Sequence, residues 1–163
     1  MDTPAPPLQT EFLVMMTKGV SLILSSADHA LTPSVMRAVG SRIEDNGRRI
    51  TAYLARGQSR QLLADIARSG RLAAVFSQPS THLTVQIKSR RARIREARED
   101  DQPHLQRYLH SMEDELAALG YPRTMAGAML AHRPEDLVAV EFEPDEAFDQ
   151  TPGPRAGHRL GGT

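Results

Sequence analysis

No cysteine occurs among the 163 residues, so disulfides, thiolate metal sites and cysteine nucleophiles are excluded. Tryptophan is missing as well, and only 4% of residues are aromatic. Single-stranded nucleic-acid binders need aromatics interleaved with charge, and the basic run 88–98 has none near it. Net charge is zero, 20 Lys/Arg against 20 Asp/Glu, whereas dedicated nucleic-acid-binding domains are usually basic overall. No nucleic-acid partner is expected. No apolar run approaches the ~20 residues that a bilayer span requires, and residues 1–7 lack the basic start and apolar stretch of a signal peptide. A cytoplasmic protein without a membrane partner is the expectation.

What the chain does have is a globular composition, 40% hydrophobic and 25% charged, which suits one domain with its own core. We place that domain at 1–150. The tail 151–163 carries 4 Gly and 2 Pro in 13 residues and reads as irregular. The zero net charge hides two blocks. Residues 37–98 hold 14 Lys/Arg against 4 Asp/Glu, and residues 99–151 hold 3 against 13. Such blocks suit a phosphate or polyanion site in the middle of the chain, or unlike faces meeting in a fold or a dimer.

Apolar spacing predicts a helix over 8–18, stopped at Gly19, and a buried strand over 20–26. A second strand is expected over 33–43, kinked or bulged at Gly40. Asp45-Asn46-Gly47 is a hairpin signal leading into a strand over 49–55. Ser59 then starts a helix whose stripe is Leu62, Leu63, Ile66 and Ala67, closed by Ser69-Gly70. Strands follow at 71–77 and 82–94, the latter slipping near Arg90-Arg91. A helix over 104–119 shows Leu105, Tyr108, Leu109, Met112, Leu116 and Leu119 on one face. A short helix over 124–131 and an alternating strand over 137–143 complete the series. Hairpin-linked strands with interspersed helices point to an α+β fold, mainly antiparallel, with a sheet or barrel of about six strands and flanking helices.

Catalytic motifs are scarce. None of the six histidines sits in a metal-binding i, i+4 pair, so no metal is expected, and no serine lies in a nucleophile elbow. No catalytic residue can be named. Two places invite an anion. Arg37 stands in a strand between Val35 and Val39, where a half-buried guanidinium needs either a structural salt bridge or a ligand anion. Arg56-Gly57-Gln58-Ser59-Arg60 stands at a strand-to-helix junction, where amides and the positive end of the helix dipole favour phosphate. Ser59 there either caps the helix or bonds a ligand.

The order of these motifs carries a resemblance. A strand with Arg37-Ala38-Val39 is followed by the Asp-Asn-Gly turn, a strand, and Arg-Gly-Gln-Ser-Arg opening a helix. Then come Arg71-Leu-Ala-Ala-Val-Phe-Ser-Gln-Pro-Ser-Thr-His82 and Val85-Gln-Ile-Lys-Ser89. Over 13–94, with 137–157 as closing strand and tail, the chain resembles the pyridoxamine 5′-phosphate oxidase-like, FMN-binding split-barrel family.

The resemblance implies a split β-barrel that holds FMN between two subunits of a homodimer. It implies that Arg37, Ala38, Val39 and Arg42 lie along the flavin, with the arginines near its phosphate. Tyr53, Leu54 and Ala55 match the family's backbone contacts, and Ser59 and Arg60 its phosphate-binding helix start. Thr84 or Gln86 matches a polar residue that reaches the flavin from the partner subunit. The oxidase's tryptophan-containing C-terminal segment and its Arg-x-His motif have no counterpart, so pyridoxamine-phosphate oxidation is not expected and the substrate stays open. The alternative is a non-catalytic split barrel holding haem, a deazaflavin or another ligand, in which His82 or His29 would matter.

Overall fold

Helix α1 (Thr10–Lys18) buries Phe12, Met15 and Met16 and ends at Gly19, whose φ is 98°. It opens the computed structural model, which describes residues 8–161; the stretch 1–7 and the last two residues of the tail lie outside that range.

Strand β1 (Ser21–Ala27) pairs antiparallel with β2 (Pro33–Arg37) across a turn in which Asp28 Oδ1 accepts from the amides of Ala30 and Thr32. The expected single strand over 33–43 is two strands in two sheets. At Ala38 and Val39 the ladder changes partner: the Ala38 amide donates to Leu22 and the Val39 amide to Tyr53. β3 (Gly40–Glu44) therefore belongs to the second sheet. Gly40 does not make the bend. A Cβ there would stand 2.6 Å from a Leu105 methyl, so the glycine admits a helix at close range.

The Asp45-Asn46-Gly47 turn, with all three residues at positive φ, joins β3 to β4 (Arg49–Ala55). Helix α2 (Arg60–Ser69) follows, with Gly70 left-handed at its end as the sequence reads. Of its expected stripe, Leu62, Leu63 and Ile66 are buried against β1, β2 and the later strand 93–96, while Ala67 is exposed. Each such side chain contributes roughly 1.5–3 kcal/mol of burial.

The long strand expected over 82–94 is likewise divided. β5 (Leu72–Ser77) pairs with β6 (Thr84–Ser89) in the first sheet, and β7 (Arg93–Glu96) pairs in the second. The slip near Arg90-Arg91 is thus a change of sheet and not a bulge. Helix α3 (Gln102–Ala118) packs on β3 and on the short helix α4 (Thr124–Met129). Leu119, read as part of the apolar face, is the C-cap and stays 46% exposed.

β8 (Leu137–Phe142) is buried on both faces over 137–140: Val138 and Val140 face the main core, Leu137 and Ala139 a second one. Its polar-looking alternation does not mark a wet face because α3 covers that side. β9 (Glu146–Asp149), not foreseen, pairs with β6. The tail is irregular through Gly157, but β10 (His158–Arg159) pairs with β9 and Leu160 is buried in the main core.

The sheets run β10-β9-β6-β5-β1-β2 and β3-β4-β8-β7, ten strand segments among the described residues where about six were expected. Chain continuity through 37–40 and 89–93 ties one sheet to the other, and α1, α2 and the inner faces fill the space between them. This is a split barrel with flanking helices, mainly antiparallel, as the sequence implies.

Candidate functional site

Register settles where the expected flavin contacts of the six-stranded sheet stand. Arg37 faces Ile23, Ile23 faces Val75, Val75 faces Gln86, and Gln86 faces Phe148. Directly opposed residues share a face, so Arg37 and Gln86 lie on one row across five strands. Val85 and Ile87 point inward and are buried, whereas Thr84 and Gln86 point outward and are half-buried. The Arg37 guanidinium runs along this outer face to the Ser21 hydroxyl at 2.8 Å, with no carboxylate on it. Ser21 opposes Ser77, whose hydroxyl bonds Thr84 at 2.8 Å. Arg37, Thr84 and Gln86 thus occupy one exposed sheet face, with Ile23, Val75 and the 59% exposed Val35 beside them.

Arg42 is elsewhere. It stands on β3 in the other sheet, and its guanidinium is taken by Glu44 at 2.7 Å. Ala38 is fully buried between the sheets, as is the Leu54 side chain, so each can offer a ligand only its backbone. The β3–β4 ladder stops at Tyr53, leaving Leu54 and Ala55 beyond the end of β3.

At the start of α2 the backbone turns through Arg56–Gln58. Two of its groups already hold anions of the chain: Arg56 binds Glu96, and the Gly57 amide donates to the Asp136 carboxylate at 3.0 Å. Ser59 is different. It is the N-cap, 2% exposed, yet its hydroxyl makes no cap bond and has no partner at all. The first amides of a helix have no intrahelical acceptors, and Arg60 beside them is exposed with no ion pair. A buried hydroxyl without a bond costs free energy. At a helix N-terminus, an anion oxygen is the partner that fits.

Three of the four buried carboxylates, Asp101, Glu115 and Asp65, none of which the sequence singled out, are by contrast well served. Asp101 accepts from the Tyr53 hydroxyl (2.7 Å), from Arg95 twice (2.7 and 3.0 Å) and from the Arg98 amide. Burial raises its pKa, but these bonds outweigh burial and hold it well below the usual carboxylate range. Burial, then the Asp101 bond, pushes the Tyr53 phenol up. Glu115 takes Lys18 (2.6 Å), Gln78 (2.8 Å) and the Ser80 amide (3.0 Å). Burial opposes this too, but Lys18, Ser80 and Gln78 bring its pKa down to about 2. Asp65 on α2 accepts from Ser34, Gln61 and Arg68, and the Ser34 bond leads in lowering its pKa. A residue pattern of Asp ahead of a Pro-led helix, at Asp101 and Pro103, is the one signal that could have pointed to Asp101.

His29 and His82 are exposed and stand in separate turns. Among the described residues no group of three His, Asp or Glu could hold a metal ion, and no helix is long and apolar enough to cross a membrane. A cavity of about 230 Å³, lined in part by Val39, lies at α3 and α4, and one of about 590 Å³, lined in part by Ala55, adjoins it through Ala131 and His132.

No protein-family model and no curated protein sequence matches the chain. Solved structures do. A pyridoxamine 5′-phosphate oxidase candidate from Lactobacillus delbrueckii superposes with a TM-score of 0.56 at 15% identity, covering 91% of this chain and 97% of its own. The HupZ protein of Group A Streptococcus gives 0.54 at 12% identity, covering 92% and 100%. An F420 reductase gives 0.54 at 11%, covering 86% and 98%. The likeness is one of fold: the chain shares its split-barrel architecture with these structures.

Proposed function

We propose that the chain is an FMN-binding flavoprotein that works as a homodimer and serves as an oxidoreductase on a substrate other than pyridoxamine 5′-phosphate. The observation that carries the reading is the buried, bondless Ser59 hydroxyl at the N-terminus of a ten-residue helix, beside the unpaired Arg60. A phosphate oxygen satisfies both, and it relieves the one polar atom in that turn that folding leaves unserved. Arg37, on the outer sheet face and bonded only to a serine hydroxyl, has its charge available for an anion as well. Bound FMN supplies hydride and electron transfer. Leu54 and Ala55, beyond the end of the β3 ladder, offer main-chain groups to its ring.

The two-fold arrangement is argued from the outer face of the six-stranded sheet. Val35 is exposed there and Ile23, Val75 and Phe148 are half-buried, and a second copy meeting that face brings its Thr84 and Gln86 toward the first copy's Arg37. Titration of the purified chain with FMN, read by quenching of flavin fluorescence, is the test. Low-micromolar affinity is expected. Arg37→Ala combined with Arg60→Ala should weaken it at least about 100-fold, since charge-assisted bonds to phosphate are worth roughly 1.5–3 kcal/mol each. Unchanged affinity in a folded double variant would refute the phosphate site. An absorption spectrum showing haem or a deazaflavin in place of FMN would replace the cofactor.

A further inference from the structure

The smaller cavity at α3 and α4 is built for a ring. Its walls are Val39, Leu105, Leu109 and Leu130, with Gln102 and Gln106 at the rim, and it holds about 230 Å³. An apolar protein cavity of about 150 Å³ is enough for benzene. Gly127 on α4 also lines it, and a Cβ added there meets nothing within 4 Å, so the helix opens directly onto empty space. Among the described residues, one ionisable residue lines this cavity, His132, which also lines the adjoining one. Its Nδ1 lies 2.9 Å from the Leu130 carbonyl oxygen. A carbonyl only accepts, so Nδ1 donates to it, which leaves Nε2 as the ring's remaining polar atom.

We infer that this cavity is a binding site for a small phenol-like molecule: a single aromatic ring seated between Leu105, Leu109, Leu130 and Val39, its hydroxyl donating to His132 Nε2. The apolar walls select the ring, and the imidazole selects a ring that carries a donor. A ligand without one would leave the Nε2 lone pair unserved and bind more weakly. The site is made by one chain and needs no flavin, so it stands or falls apart from the function proposed above.

Phenol and toluene are the probes, titrated without FMN into protein whose leucine and valine methyl groups are followed by NMR. Phenol should bind with Kd of about 1 mM or tighter and about 10-fold more tightly than toluene, with both shifting the methyls of Val39, Leu105, Leu109 and Leu130. His132→Asn keeps an amide N–H for the Leu130 carbonyl but deletes the Nε2 acceptor. It should bring phenol down to the level of toluene and leave toluene unchanged. Gly127→Leu fills the cavity from a helical position where leucine is the better helix former, so it should abolish both titrations while the melting temperature holds or rises. Equal affinity for phenol and toluene in the unmodified protein, or binding that survives Gly127→Leu, would overturn the inference.

Discussion

Asp101 and Ser59 are almost equally buried, at 1% and 2% exposure, yet Asp101 accepts four hydrogen bonds and Ser59 makes none through its side chain. The difference separates architecture from site. Around Asp101, Tyr53 from β4, Arg95 from β7 and the turn before α3 converge on one carboxylate, so the bonds lock α3 over the second sheet. Nothing is left there for a ligand to satisfy. Around Ser59 the chain closes the backbone of α2 and stops, leaving a hydroxyl, an exposed arginine and helix amides without a protein anion. A saturated polar cluster is a fastener; an unsaturated one at a helix N-terminus is a socket.

The comparison breaks most readily at Asp101. Asp101→Ala strands the Arg95 guanidinium, the Tyr53 hydroxyl and the Arg98 amide, and should cost about 3–5 kcal/mol, read as a lower midpoint in urea. Tyr53→Phe, which removes one bond and keeps the ring, should cost only about 1 kcal/mol. Equal losses from the two substitutions would mean that the carboxylate is not the hub.

Acid sharpens the same contrast at Glu115. Its folded pKa is about 2, below the ordinary 4.5. A carboxylate depressed on folding contributes stability that is complete above pH 4.5 and is lost as pH falls from 4.5 toward 2. That contribution is on the order of 3 kcal/mol. Glu115→Gln should flatten the stability profile across that window, and an unaltered profile would show that Lys18, Gln78 and Ser80 do not hold the ionised form. At Ser59 the expected effect is smallest and opposite in character. Ser59→Ala removes a hydroxyl that bonds nothing in the free protein, so stability should hold or rise by up to about 1 kcal/mol, while FMN affinity falls roughly 5–10-fold.

Much of this was legible in the sequence, and the failures share a cause. Local signals placed α2 and its Gly70 cap, the Asp-Asn-Gly hairpin and the 49–55 strand, because propensity and capping act over a few residues. What the sequence did not disclose is where a continuous extended run changes sheet. Pro33 to Ile43 and His82 to Ile94 each read as one strand, since a β-conformation at Ala38 or Ala92 looks the same whichever ladder it joins; only the partners' positions decide. β9 and β10 were missed because Glu-Ala-Phe-Asp and His-Arg have little strand pattern of their own: β9 is held by pairing with β6, and β10 by pairing with β9. The candidate site was half legible. Arg37, Ser59 and Arg60 could be named from type and position, but Arg42 is claimed by Glu44 two residues on, in register opposite Thr51. Glu115 could not be told from a surface carboxylate, since Lys18, Gln78 and Ser80 come from distant segments, and nor could Asp65, whose leading partner Ser34 is 31 residues away.

The central claim is that the unserved groups at Ser59 and Arg60 and the bare outer face around Arg37, Thr84 and Gln86 are one shared flavin site repeated twice. Sedimentation equilibrium at low micromolar chain concentration, monitored at the flavin absorbance with FMN added, tests it directly. The expected result is FMN sedimenting with a species of twice the 18.0 kDa chain mass, one flavin per chain, persisting at high salt because apolar burial dominates such an interface. Flavin that travels with an 18.0 kDa species, or that stays free while the protein sediments alone, would contradict it.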